Sequence, residues 1–153
     1  MSTADLCDEH EAAISACEER FTLYGGIRAF HGRVVTVQCD EDNVLARRAL
    51  SEPGRARVLV VDGGGSLRCA LMGDQMAELA AENGWAGAIV NGAVRDVVAL
   101  SRLPFGLAAL GSNPRRSGKQ GTGRRGVEVT FGGVTFRPGD TVYVDDDGLV
   151  VLP

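Results

Sequence analysis

Val58-Leu-Val-Val-Asp-Gly-Gly-Gly-Ser66, then Gly73-Asp-Gln-Met-Ala-Glu-Leu-Ala-Ala-Glu-Asn-Gly84, then Gly87-Ala-Ile-Val90, is the stretch whose reading decides the fold. Val58 to Val61 is a short apolar run stopped by glycines, which is the pattern of a buried strand. The segment from Asp74 to Gly84 has the character of a helix, and Gly87 to Val90 is a second apolar strand. A strand, helix, strand unit of this size forms a right-handed parallel crossover. In open α/β sheets, ligands gather beyond the carboxyl ends of the strands. Both ends here carry unusual residues: Asp62-Gly-Gly-Gly-Ser66 and then Gly73-Asp74 follow the first, and Asn91-Gly-Ala-Val-Arg-Asp96 follows the second. The expectation is one site built from these two turns.

Outward from this centre, Ser2 or Thr3 can cap a short acidic helix through about His10. Ile14 to Tyr24 fits either helix or extended chain, ended by Gly25-Gly26. Gly32 to Cys39 is β-branched and reads as a strand, and Asp40-Glu-Asp-Asn43 supplies an N-cap for a helix from about Val44 to Leu50. Asp96 to Arg102 is a short helix closed by Pro104, and Phe105 to Leu110 is another buried strand. Residues 112–126 are rich in glycine and carry five of the 16 basic residues. They read as a solvated loop, or as a loop that attracts an anionic ligand or a neighbouring subunit. The last third alternates across Gly132-Gly133, Pro138-Gly139 and Asp145-Asp-Asp-Gly148, which predicts antiparallel hairpins. The three aspartates lack EF-hand spacing and suit a hairpin turn. Residues 1–153 thus read as one α/β domain mixing a parallel crossover with an antiparallel C-terminal sheet.

Composition narrows the function. A formal net charge of -4 gives no global positive field for nucleic acid. No apolar run approaches the roughly 18 residues of a membrane span, and the acidic N-terminus lacks the pattern of a secretory signal, so a cytoplasmic location is expected. Cys7, Cys17, Cys39 and Cys69 show no C-x-x-C spacing, which argues against structural zinc and disulfides. Lys119 is the only lysine and falls in the polar loop, so no desolvated lysine for Schiff-base chemistry is expected.

Asp62-Gly-Gly-Gly-Ser66 fails the G-x-G-x-x-G pattern and no Walker lysine follows it. Gly73-Asp74 opens a helix, whose first amides lack internal partners, so Gly73, Asp74, Gln75 and Met76 can cradle a small carboxylate. Arg95 can clamp a carboxylate at two points, and Asp96 can bind a hard cation such as Mg²⁺. Taken singly, Asp74 reads as a helix cap and Arg95-Asp96 as a surface ion pair. Their place on successive parallel strands joins them in one crevice.

These residues resemble the RraA-like family, which groups the regulator of ribonuclease E activity A with 4-hydroxy-4-methyl-2-oxoglutarate aldolase and includes members once labelled as menaquinone methyltransferases. The family's Asp-x20-Arg-Asp signature stands here as Asp74 and Arg95-Asp96. Tyr24-Gly-Gly26, Glu41-Asp-Asn43, Val58 to Ser66, Asn91 to Asp96, Phe131 to Phe136, Pro138-Gly-Asp140 and Asp145 to Gly148 match as well, nearly along the whole chain. The resemblance implies a swivelling β/β/α fold and a homotrimer with sites near subunit boundaries. It implies a divalent cation (Mg²⁺ or Mn²⁺) on Asp96, substrate on Arg95, the keto-acid carboxylate on the amides of Gly73 to Met76, and a water positioned by Asp74. The activity implied is aldol cleavage of 4-hydroxy-4-methyl-2-oxoglutarate-type α-keto acids to pyruvate, with oxaloacetate decarboxylation. The rival implication is a trimeric, non-catalytic regulator of a ribonuclease E-like partner. The chain stops at Pro153, short of the C-terminal segment with which larger aldolases add an acidic residue to a neighbour's site. No methyltransferase cofactor motif is present.

Overall fold

The computed structural model describes residues 1–153. In chain order the elements are α1 (Thr3–Glu9), β1 (Ser15–Ala16), β2 (Thr22–Leu23), β3 (Phe30–Gln38), α2 (Val44–Leu50), β4 (Val58–Asp62), β5 (Ala70–Met72) and α3 (Asp74–Glu82). They continue with β6 (Gly87–Val94), α4 (Val97–Leu100), β7 (Gly106–Ser112), β8 (Arg124–Arg125), β9 (Val129–Phe131), β10 (Val134–Phe136), β11 (Thr141–Asp145) and β12 (Gly148–Leu152). The ambiguous stretch from Ile14 to Tyr24 resolves into the two-residue strands β1 and β2, each pairing at an outer position. At the other end of the fold, α1 starts with a capping box, in which Ser2 Oγ accepts from the Asp5 amide at 3.0 Å.

The main sheet has the order β1-β12-β11-β3-β4-β6-β7-β2. Its centre is parallel: β3 with β4, β4 with β6, and β6 with β7. Its flanks are antiparallel. β3 belongs to both regimes, since residues 30–33 pair with β11 while Val34 to Gln38 pair with β4. β9 and β10 form a separate hairpin through Gly132-Gly133. The result is a mixed α/β fold of the expected class.

The two-residue period of the central strands sorts their side chains into two cores. Leu59 and Val61 of β4, with Ala88 and Val90 of β6, face α2 and α3 and pack with Ala49, Leu50, Met76, Ala77 and Ala80. Val58, Val60 and Ile89 point the other way and meet Phe131, Val134, Phe136, Val142 and Val144 of the C-terminal strands. Helices, parallel sheet and antiparallel strands therefore stack as three layers, and β6 is buried along its whole length. Phe136 is fully buried and stacks on Phe131 at 4.5 Å between ring centroids. Phe136→Ala is expected to cost about 3–5 kcal/mol of stability, as large aromatic truncations in closed cores do. Urea unfolding followed by circular dichroism checks it, and a loss under about 1 kcal/mol would show that this layer collapses around the gap.

Two boundaries differ from expectation in ways that move the site. β6 does not end at Val90 but continues through Val94, crossing an irregular register between Val90 and Ala93. The continuation is paired by β5, a strand not expected from the sequence, whose Ala70 and Met72 lie beside Ala93 and Val94. Three residues are too short a run for a pattern to declare itself. None of the four helices is long and apolar enough to cross a membrane.

Candidate functional site

Because β5 lies parallel to the end of β6, their carboxyl ends release Gly73-Asp74 and Arg95-Asp96 side by side. The Arg95 amide donates to Met72 O at 2.9 Å, tying the second turn to the first. The two turns do adjoin, as expected, but the strand preceding Gly73 is β5 and not β4. The Asp62-Gly-Gly-Gly-Ser66 turn after β4 goes elsewhere. Asp62 Oδ1 accepts from the Gly64 amide and from Asn91 Nδ2, both at 2.9 Å, so Asp62 serves to shape its own turn. Its glycines line a separate cavity with Gln38, Arg68 and Arg124.

Asp74 is not the cap of α3. Gly73 is the N-cap, in extended backbone, and has no side chain to offer. The cap comes across from the neighbouring strand end, where Asp96 Oδ2 accepts from the Asp74 amide at 3.2 Å. Ala77 is the first residue to bond back into the helix, to Gly73 O at 3.1 Å, and the amides of Gln75 and Met76 make no hydrogen bond to another part of the chain. Of the expected carboxylate cradle, the Asp74 amide is thus taken by Asp96 and the Gln75 amide is turned to the Asp74 carboxyl, while the Met76 amide remains available. Asp96 itself sits in the left-handed region (φ 63°, ψ 43°), a strained choice for a residue other than glycine, and such strain gathers at functional turns.

The two carboxyl groups meet. Hydrogen bonding to Asp96 pushes the Asp74 carboxyl above its ordinary value, helped by desolvation and by the charge on Asp96, while the Gln75 and Asp74 amides pull the other way. Like charges this close call for a proton or a cation between them. The cavity around them holds about 410 Å³. Its lining contains no histidine or cysteine, and Asp74 and Asp96 are its only acids. No cluster of three or more such ligands occurs anywhere in the chain. Two carboxylates suit a hard cation of the Mg²⁺ type, which binds through one or two carboxylates and fills its shell with water and substrate oxygens. They do not suit the sulfur and imidazole chemistry of structural zinc.

Besides Ala70 and Met72 of β5, five polar residues line this cavity that sequence reasoning did not place there: Asn43, Arg47, Arg116, Ser117 and Lys119. Three come from the 112–126 segment, which is far from a free loop. Arg116 forms a bridge beside Ala70, Gly118 bridges Asp42, and the Asp42 carboxylate accepts from the amides of Gln120 and Gly121. Desolvation pushes Asp42 up, but the amides of Val44, Gln120 and Gly121 together hold it below the usual carboxylate range. Asp42 also accepts from Val44 at 3.1 Å, so it and not Asn43 caps α2. Asn43 is turned inward instead, with Nδ2 donating to Leu71 O at 3.1 Å and Oδ1 accepting from Lys119 Nζ at 2.6 Å. The expectation that the single lysine offers no candidate in a pocket is therefore wrong. The available signal was that only one of 16 basic residues is a lysine.

The chain is 52% identical over 151 residues to a protein of Laribacter hongkongensis provisionally named 4-hydroxy-4-methyl-2-oxoglutarate aldolase, covering 99% of this chain and 95% of that one. A protein of Aromatoleum aromaticum with the same provisional name is 53% identical with the same coverage. Among solved structures, one from Geobacillus kaustophilus, described as an S-adenosylmethionine:2-dimethylmenaquinone methyltransferase, superposes with a TM-score of 0.98 at 48% identity, covering 99% of this chain and 94% of that one. The RNA-processing inhibitor RraA from Thermus thermophilus superposes with a TM-score of 0.97 at 45% identity, over 100% and 93% of the two chains. The RraA-like family model, described as Aldolase/RraA, matches residues 3–151, and the chain belongs to that family.

Proposed function

We propose that this protein is a divalent-metal-dependent lyase that releases pyruvate from 4-hydroxy-4-methyl-2-oxoglutarate-type keto acids and decarboxylates oxaloacetate. The observation that carries this reading is the facing Asp74–Asp96 pair at a helix N-terminus, beside Arg95, in a cavity otherwise ringed by positive charge. Relatives at about half identity that bear an aldolase name support it.

The amides of Gln75 and Met76 would hold the keto-acid carboxylate at the positive end of α3, the Asp74 carboxyl turning from Gln75 to make room. Asp96 and Asp74 would hold the cation, which when bound supplies Lewis-acid polarisation of the keto oxygen. Arg95 meets the negative charge that develops on that oxygen as the bond between C3 and C4 breaks and its electrons move to form the pyruvate enolate. In aldol cleavage the C4 hydroxyl proton leaves through a water held by Asp74, and a proton returns to C3 to complete pyruvate. Loss of CO2 from oxaloacetate gives the same enolate and needs only the second proton transfer.

Enzyme-dependent pyruvate release is expected to stop with EDTA and to return with excess Mg²⁺ or Mn²⁺, followed by coupled lactate dehydrogenase. Release indifferent to chelator would sink the metal route. Capture of pyruvate on Lys119 by borohydride would then move the chemistry to the lysine.

A second reading, a trimeric regulator of ribonuclease E-type RNA processing, is favoured by the close superposition on the Thermus RNA-processing inhibitor. Co-purification with a ribonuclease E-like enzyme, together with no turnover of either keto acid, would select it.

A further inference from the structure

A second groove, of about 600 Å³, lies where the parallel strands begin. Arg57 and Ala86 line it and immediately precede β4 and β6, so it sits at the opposite end of β6 from Arg95-Asp96. Its charged residues are Arg33, Arg55 and Arg57, and no acid lines it. Arg57 is already engaged: it donates to the carbonyls of Gly54 and Pro53, both at 2.9 Å, and its guanidinium lies 5.1 Å from the centre of the Trp85 ring. Arg33 and Arg55 are exposed. Neither belongs to the ion pairs of the chain, which join Arg28 to Asp146, Arg68 to Glu41, Arg125 to Glu52 and Arg137 to Glu128. In a chain of net charge -4, two unpaired guanidinium groups in one acid-free groove mark a place for an anion. A nucleic-acid strand needs a track of such contacts, whereas two suit a single phosphoryl group.

The backbone brings these groups together. A Cβ on Gly32 would run into Ala56 O, so the glycine lets β3 press against residues 55–57 and sets Arg33 beside that turn. Arg55 and Ala56 are both left-handed, at φ 54° and 60°, an unfavourable conformation for residues with a Cβ. The turn is pinned by the Ala56 amide on Gly84 O at 2.8 Å and the Arg57 amide on Gly54 O at 3.0 Å. Beside the cations stands a flat surface. His31 shares the exposed face of β3 with Arg33, and its ring stacks on Tyr143 with centroids 5.3 Å apart and planes 17° apart. His31 is itself exposed and lines the groove, as does Ile27 at 40% exposure. A planar ring can extend this stack, as bases do on aromatic side chains.

We propose that this groove binds a nucleoside monophosphate, its phosphoryl group on Arg33 and Arg55 and its base against His31 and Ile27. The site is independent of the keto-acid reading, and its test is binding to the whole protein with neither keto acid nor metal present. Calorimetric titration is expected to show AMP binding roughly 10- to 100-fold tighter than adenosine, the yield of one or two charge-assisted contacts. Inorganic phosphate, which lacks the ring, should bind more weakly than AMP. Arg33→Ala and Arg55→Asn should each weaken AMP by roughly 10-fold while leaving adenosine at the wild-type affinity. Asparagine suits the left-handed residue 55, and an unchanged unfolding midpoint reports that each variant is folded. Equal affinity of the wild type for AMP and adenosine overturns the site, as does AMP binding that survives in both folded variants. Phosphate binding as tightly as AMP overturns it too, because the base would then make no contact.

Discussion

An Asp96→Asn variant is expected to lose pyruvate release from oxaloacetate by on the order of 10²- to 10³-fold, the scale seen when one preorganised electrostatic group is removed. Its unfolding midpoint should hold. Asparagine accepts the left-handed conformation that residue 96 adopts, at φ 63° and ψ 43°. Its side-chain oxygen can still take the Asp74 amide that Asp96 takes at 3.2 Å. What disappears is the charge, and with it half of the carboxylate pair that would bracket a cation. Asp96→Ala is the poorer probe, because alanine in the left-handed region adds a backbone cost of about 1–2 kcal/mol to the chemical one. Steady-state turnover and thermal unfolding on the same preparation decide the matter. Wild-type turnover in the folded Asn variant would remove Asp96 from the mechanism.

Gly73→Ala is the second large effect, for a reason unrelated to backbone freedom. Gly73 has φ -133° and ψ -168°, extended backbone that any residue adopts. The demand is for space, since a Cβ there would stand 2.6 Å from Asp96 Oδ2 and 3.3 Å from Arg95 Cγ. The Asp96 carboxylate must give way, and its bond to the Asp74 amide goes with it. Turnover is expected to fall on the order of 10²-fold, as it does when a reacting group is displaced by about 1 Å. Stability should change little, because Gly73 is half-buried and its neighbours are side chains and not backbone. Unimpaired turnover would mean that Asp96 has another productive position. A large loss of stability would show instead that the turn cannot open.

Elements with strong local signals were legible. The apolar run at Val58, the helix at Asp74 and the hairpins around Gly132-Gly133 and Asp145 to Gly148 form where propensity and turn chemistry place them. Helix α2 matches its expected span of Val44 to Leu50, although the side chain that caps it is Asp42. The pairing of Gly73-Asp74 with Arg95-Asp96 was legible because parallel strands send their carboxyl ends the same way. The path to it was not. β5 is a three-residue strand defined by its partner β6, and the irregular register after Val90 that lets β6 continue is a tertiary property. The 112–126 segment failed for a related reason. Its composition is that of a loop, and only the buried Asp42 carboxylate, distant in sequence, pulls Gln120 and Gly121 inward and carries Lys119 into the cavity. Local composition reports what a segment prefers alone, and these residues answer to partners some 80 positions away.

The divided strand β3 has a consequence for how the molecule can open. Its first residues are hydrogen-bonded into the antiparallel half and the rest into the parallel half, with no linker between Arg33 and Val34. Peeling the C-terminal hairpin from residues 30–33 bares a sheet edge and strips Val142 and Val144 from the core they share with Val58 and Val60 of β4. Neither half has a boundary at which it can come away alone, so the two layers form one cooperative unit for amide exchange. The cavity takes its walls from α2, β5, the start of α3, the turn after β6 and the 112–126 segment, so its floor is expected to exchange with this unit as a whole.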